Sequence, residues 1–168
     1  RFGELIQVDG SKHKWFEDRA EYCTLIAFID DATSALLYAR FEPTETTVAY
    51  LKGLQSHIQN YGLPVALYSD KHGIFTKHQE ENFIPTQLER ALEDLLVELI
   101  LAHSPQAKGR VERIFLTLQD RLVKAMRLEG ISDIDTANAF LADYLEQHNQ
   151  KFALVPKVNE DAHRSWKD

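Results

Sequence analysis

The stretch Tyr22-Cys23-Thr24-Leu25-Ile26-Ala27-Phe28-Ile29-Asp30-Asp31-Ala32-Thr33-Ser34-Ala35-Leu36-Leu37-Tyr38-Ala39-Arg40-Phe41 decides the fold class. Two runs of strand length, Tyr22 to Ile29 and Ala35 to Phe41, are rich in aromatic and branched residues. Between them, Asp30 to Ser34 has the composition of a tight turn, so the two runs read as an antiparallel hairpin. Upstream, Leu5-Ile6-Gln7-Val8 is a shorter apolar run. Three strands therefore open the chain before any helix.

Downstream, Pro43-Thr44 in front, Glu45 in the first turn, Val48, Leu51, Leu54 and Ile58 on one face, and Gly62 and Pro64 as a stop predict a helix. Val65 to Ser69 reads as a buried strand that ends at Asp70; reached through a helix, it is expected to run parallel to an earlier strand. Lys71 to Phe83 is polar and lacks apolar periodicity, which reads as a mobile loop. A helix through Thr86 to Leu95 and a fifth strand near Val97 to Leu101 follow. From Ala107 onward, Val111, Ile114, Phe115, Leu118, Leu122 and Met126 mark an amphipathic helix closed at Gly130. Ser132 is placed to cap a last helix with Ile134, Ala137, Leu141, Leu145 and His148 on its inner face.

The order β-β-β-α-β-α-β-α predicts an α/β domain: a five-stranded mixed sheet, three antiparallel strands and then parallel ones, flanked by helices. This is the element order of the ribonuclease H-like fold. We expect a core over residues 1–130, with a C-terminal helix and tail over 131–168 packed on it.

The 168 residues are 44% hydrophobic, enough for one buried core. The longest apolar runs are too short to cross a bilayer, and no signal segment opens the chain, which predicts a cytoplasmic protein with no membrane partner. The single cysteine, Cys23, excludes an internal disulfide and a cysteine metal site. A formal net charge of -7 argues against general DNA binding, but the charge is unevenly spread. Acid gathers between Glu80 and Glu98, whereas Lys108, Arg110, Arg113, Arg121, Lys124 and Arg127 face only Glu112 and Asp120 in their stretch. A local basic patch is the expectation.

Three carboxylates stand out by position. Asp9 closes the first apolar run, Asp70 closes the fourth, and Glu112 lies in the first turns of the helix after the fifth. Taken singly, each has an ordinary explanation: a turn for Asp9 before Gly10 and for Asp70, and a helix N-terminal acid for Glu112. If the first and fourth strands are neighbours, however, their carboxyl-bearing ends converge and the helix brings Glu112 alongside. Three carboxylates at one point repel unless a cation lies between them. An all-oxygen donor set selects Mg²⁺ or Mn²⁺, and two such ions support in-line phosphoryl displacement.

Four segments resemble the DDE transposases and retroviral integrases with an integrase core domain, particularly those of bacterial insertion sequences. They are Gln7-Val8-Asp9-Gly10, Ala27 through Ser34, Leu67-Tyr68-Ser69-Asp70-Lys71-His72-Gly73-Ile74-Phe75, and His103-Ser104-Pro105-Gln106-Ala107-Lys108-Gly109-Arg110-Val111-Glu112-Arg113. The resemblance implies that Asp9, Asp70 and Glu112 are the catalytic, metal-binding triad, holding two Mg²⁺ or Mn²⁺ ions with Asp9 bridging them. It implies strand cleavage at an element end followed by attack of the freed 3′-hydroxyl on target DNA, by a homo-oligomer on DNA, nucleoid-associated when acting. Lys71, His72, Lys108, Arg110 and Arg113 become candidate DNA contacts. The N-terminal DNA-recognition region of such transposases is expected to lie outside this chain. Two departures stand out: Asp70 and Glu112 are further apart than in retroviral integrases, and Gln119 occupies a position, two turns after Glu112, where many relatives carry a basic residue.

Other readings fit less well. His13, His72, His78 and His103 lack a tight metal-ligand spacing. Glu4 and Glu45 read as surface charges. Asp30-Asp31 resembles the acidic pair of a phosphoacceptor receiver domain, but that fold alternates strand and helix from its start; a hairpin turn, with one Asp bonded to the loop carrying Asp9, fits better. An inactive core serving DNA docking or assembly, and a plain ribonuclease H-like nuclease without a joining step, remain as functional alternatives.

Overall fold

A computed structural model describes residues 1–69, 83–101 and 109–167, with side chains described outside 83–87. Asp70, Lys71, His72, His78, His103, Lys108 and residues 71–82 of the segment read as a mobile loop lie outside the described residues; its last residue, Phe83, opens a helix.

The elements are β1 (Leu5–His13), β2 (Cys23–Asp30), β3 (Leu36–Glu42), α1 (Thr47–Tyr61), β4 (Ala66–Ser69), α2 (Phe83–Asp94), β5 (Glu98–Leu101), α3 (Gly109–Leu128) and α4 (Ile134–Phe152), with a 3₁₀ turn at Glu17–Arg19. The sheet runs β3-β2-β1-β4-β5, antiparallel across β1, β2 and β3 and parallel across β1, β4 and β5. This is the predicted five-stranded mixed sheet.

Several boundaries differ from the expectation. β1 does not stop at Val8 but continues to His13, because its antiparallel ladder with β2 runs on through Asp9↔Ala27 and Ser11↔Leu25 to His13↔Cys23. Asp9 therefore sits within a strand rather than at its end. Thr46, not the Pro43-Thr44 pair, caps α1, its hydroxyl accepting from the Ala49 amide, so Glu45 precedes the helix. Asp133, not Ser132, caps α4 by accepting from the Thr136 amide.

Strand alternation divides the core in two. Ile6, Val8, Ile26 and Phe28 face α1 and α2, packing on Tyr50, Leu54, Leu88 and Leu92. Leu25, Ala27 and Ile29 face the other way, against Phe115, Leu118 and Leu122 of α3 and Leu141 of α4. Cys23 joins this second layer, and burial pushes its thiol up to about 11, so it stays protonated as a core residue.

The outer strand β3 is covered along its free edge. Asn138 of α4 accepts from the Phe41 amide at 2.7 Å and donates to the Phe41 carbonyl at 3.1 Å. Asn149 does the same for Leu36, at 2.8 and 2.9 Å. Eleven helical residues and five strand residues each span roughly 16 Å, so the two amides meet the ladder in step. An edge that could pair with another chain is thereby occupied.

Candidate active site

β1 is the central strand and carries Asp9. Because antiparallel partners share a face, Asp9 lies on the side of Ala27, the side covered by α3. It is half-buried, and its Oδ1 accepts from the Gly10 amide at 2.8 Å. Gly10 points to the opposite side, where Glu45 lies: a Cβ on Gly10 would come within 3.0 Å of Glu45 Oε2. Tyr50 holds that carboxylate, its hydroxyl donating to Glu45 Oε1 at 2.6 Å. Glu45 is thus half-buried behind the strand that bears Asp9, not the surface charge that the sequence suggested.

Helix α3 buries Val111, Phe115, Leu118 and Leu122 against the sheet. Glu112 and Gln119 are seven residues apart and so share one flank of this helix. That flank faces β1, because Gln119 Nε2 donates to Ser11 Oγ at 3.1 Å. At its other end, Arg110 on the opposite flank donates through Nη1 to the Asp31 carbonyl and lies 3.2 Å from Asp31 Oδ1, which also accepts from Gln7 Nε2 at 2.7 Å. The helix thus runs in the direction of β1, from the level of Gln7 to the level of Ser11. Nine helical residues rise roughly 13 Å and four strand residues advance about the same distance. Glu112 lies in the first turn of α3, on the flank that carries Gln119, and is exposed.

β4 pairs with β1 on the side away from β2, with Gln7 opposite Tyr68, and ends at the buried Ser69. Asp70 is the next residue in the sequence. Among the described residues no group of three His, Cys, Asp or Glu could hold a metal ion by itself. His13 packs edge-on against Trp15 and belongs to no such group.

Among the described residues of the basic patch expected along α3, Arg110, Lys124 and Arg127 are paired with carboxylates. Lys124 pairs with Asp120 at 2.7 Å, and Arg127 makes a two-pronged pair with Glu17 at 2.6 and 2.8 Å. Arg121 lies over the Phe152 ring. Arg113 is exposed and donates to its own helix at the Gly109 carbonyl. Asp30 is fully buried and accepts from the Gly3 amide, the Thr33 amide and the Thr33 hydroxyl. It fixes the hairpin turn and the lead into β1, as the turn reading required, and it is inaccessible as a phosphoacceptor.

This combination of sheet order and helices is the ribonuclease H-like fold of integrase catalytic cores, as solved structures bear out. The catalytic core of HTLV-2 integrase, in a complex with magnesium in its dimeric form, superposes with a TM-score of 0.68 at 16% identity, covering 96% of this chain and 97% of that one. The simian T-cell lymphotropic virus intasome, in complex with a PP2A regulatory subunit, matches with a TM-score of 0.71 at 20% identity, over 98% of this chain and 55% of that one.

Sequence relatives are transposases. A candidate transposase of Sinorhizobium fredii, y4bF, is 48% identical over 97% of this chain, and the transposase for insertion sequence IS1202 of Streptococcus pneumoniae is 37% identical over 94%. The chain spans about a third of these two relatives, 36% and 34% of their lengths. No protein-family model matches it.

Proposed function

We propose that this chain is the catalytic core of a DNA transposase, in which Asp9, Asp70 and Glu112 hold two divalent metal ions for strand cleavage and 3′-hydroxyl strand transfer. The observation that carries the reading is the flank of α3. Gln119 binds Ser11, two residues beyond the half-buried Asp9 on β1, and Glu112 shares the flank of Gln119, which supports a Glu112 that faces Asp9. The parallel pairing of β4 with β1 supports Asp70 as the third member, because Asp70 is the next residue in the sequence after Ser69, the end of β4.

The donor set fits the metal. Three carboxylates offer only hard oxygen, which suits Mg²⁺ or Mn²⁺, and such ions, when bound, activate the attacking oxygen and stabilise the leaving one. What the protein supplies is placement. Asp9 sits on the sheet's central strand, and Glu112 is carried by a helix tied at the level of Gln7 and again at Ser11. Preorganised ligands of this kind lower the reorganisation needed at reaction. DNA is the proposed substrate, both as element end and as target, and a homo-oligomer is the proposed working form. Residues 1–130 would be the core proper, with 131–168 bracing the edge strand.

The test is mutational and uses the full-length protein with a duplex carrying its element end. Asp9→Asn, Asp70→Asn and Glu112→Gln are each expected to reduce metal-dependent cleavage by at least about a thousandfold while leaving the folded structure intact, since removing a ligand charge strikes the main source of rate enhancement. Cleavage at the wild-type rate by any of the three would sink the assignment. Cleavage without joining by the wild-type protein would favour a plain nuclease.

A further inference from the structure

A basic cleft lies on the opposite flank of α3 from Glu112. A cleft of about 470 Å³ opens between the first half of α3, the end of α4 and the tail that follows it. Arg110, Arg113 and Lys157 line it, and among the described residues no carboxylate does, although the chain as a whole carries a net charge of -7. The cleft is also a built feature. The tail is pinned to the β2–β3 turn by the Leu154 amide, which donates to the Thr33 carbonyl at 2.8 Å, and Thr33 is itself held by the buried Asp30.

His148 forms part of its wall. This side chain is only 5% exposed, and neither ring nitrogen has a hydrogen-bond partner among the described residues. At the rim, Leu154 and Val155 are exposed apolar residues between the cations. Positive charge around an apolar lip matches a sugar–phosphate backbone, which offers charge and apolar sugar edges alternately.

We propose that this cleft grips the phosphodiester backbone of the DNA duplex whose strand enters the carboxylate site. The inference rests on the transposase-core reading above and adds a footprint to it. Duplex that crosses the solvent face of α3 from Glu112 meets Arg113 and then the cleft. A helix is roughly 10 Å across and duplex DNA advances 3.4 Å per base pair, so the grip falls about three base steps from the reacting phosphate. Arg113 and Lys157 make the direct contacts, while Arg110, bound to Asp31, sets the wall.

The test measures fluorescence anisotropy of a labelled duplex with the full-length protein over a series of salt concentrations. The variants are Arg113→Gln, Lys157→Gln and the pair together, with Lys52→Gln, an exposed cation on α1 across the sheet, as the comparison. Loss of two phosphate contacts predicts an affinity about tenfold weaker or more near physiological salt and a salt slope shallower by about 1.8 in the double variant, with Lys52→Gln keeping the wild-type slope. Unchanged affinity and slope in the double variant, while wild type binds DNA and cleaves it, would overturn the cleft and leave the active-site reading standing. A shift in oligomeric state by sedimentation, with DNA affinity unchanged, would overturn it in favour of a seat for a second copy. Failure of the wild-type protein to bind or cleave any duplex would defeat both readings.

Discussion

Gln119 of α3 donates to Ser11 of β1 at 3.1 Å, and the bond joins the helix that carries Glu112 to the strand that carries Asp9. Where the resemblance seen in the sequence leads one to expect a basic residue, this chain has a neutral amide turned inward. Its role is to hold the two carboxylate-bearing elements in register. Gln119→Ala is expected to cost about 1 kcal/mol of stability, a typical net hydrogen bond, yet to slow strand cleavage by roughly tenfold because a loosened Glu112 is the greater loss. Parallel thermal melts and cleavage rates check this. Equal rates for wild type and variant would remove Gln119 from the positioning role.

Gly10 leaves room for Glu45. A Cβ there would meet Glu45 Oε2 at 3.0 Å and Ile26 Cδ1 at 3.1 Å, closer than ordinary contacts, so Gly10→Ala should destabilise the fold by about 1–2 kcal/mol. Because Tyr50 holds Glu45 from the other side, the strand is expected to yield and shift Asp9 with it. Urea unfolding together with cleavage assays would show a drop in both. A variant as stable and active as wild type would mean that Glu45 moves freely.

The edge of β3 depends on two side chains. Asn149→Leu leaves the Leu36 amide and carbonyl without their α4 partner, which predicts a loss of about 1–3 kcal/mol. Replacing both Asn138 and Asn149 should also uncover the edge for pairing with other chains, seen as concentration-dependent aggregation in light scattering. A monodisperse, fully stable double variant would contradict that account.

A buried histidine pair ties the tail to α1. His163 Nδ1 lies 2.6 Å from Asp161 Oδ1 and so donates to it, leaving Nε2 to accept from His57 Nε2 at 2.9 Å. His57 Nδ1 then faces no partner among the described residues, and a proton placed there would be buried and unbonded. Burial first, and the neighbouring His163 second, lower the His57 pKa from 6.5 to about 4. The unfolded chain therefore takes up this proton before the folded one. The contribution is fully present above pH 6.5 and is lost as the pH falls toward 4, to a total of about 3 kcal/mol. Stability measured across that window should fall more steeply for wild type than for His57→Gln, and identical acid limbs would refute the assignment.

Much of the architecture was legible because it rests on local pattern. The Tyr22 to Phe41 hairpin, the helix before Val65 and the stripe of α3 all follow from alternation or helical spacing, and the sheet order follows from the succession of elements. The end of β1 was not legible. Gly10-Ser11-Lys12-His13 has the composition of a turn, and only the ladder with β2, whose strand is buried throughout, carries it on as a strand. Asp9 and Glu112 were visible as acids next to apolar segments. What aligns them was hidden, since the Gln119–Ser11 and Arg110–Asp31 contacts join residues 108 and 79 positions apart. The one local clue to Glu45 was the glycine after Asp9, which reads equally well as a turn residue. The pairing of Arg127 in the basic run on α3 was hidden as well, because its partner, Glu17, is distant in sequence.

The most direct measurement of the central claim is a crystal structure of the protein soaked in Mn²⁺, read by anomalous scattering. The account predicts a peak shared by the carboxylates of Asp9 and Glu112, with Asp70 as a further ligand and metal–oxygen distances of about 2.0–2.2 Å. Manganese bound only at other groups, with the carboxylates of Asp9 and Glu112 too far apart to share an ion, would contradict it.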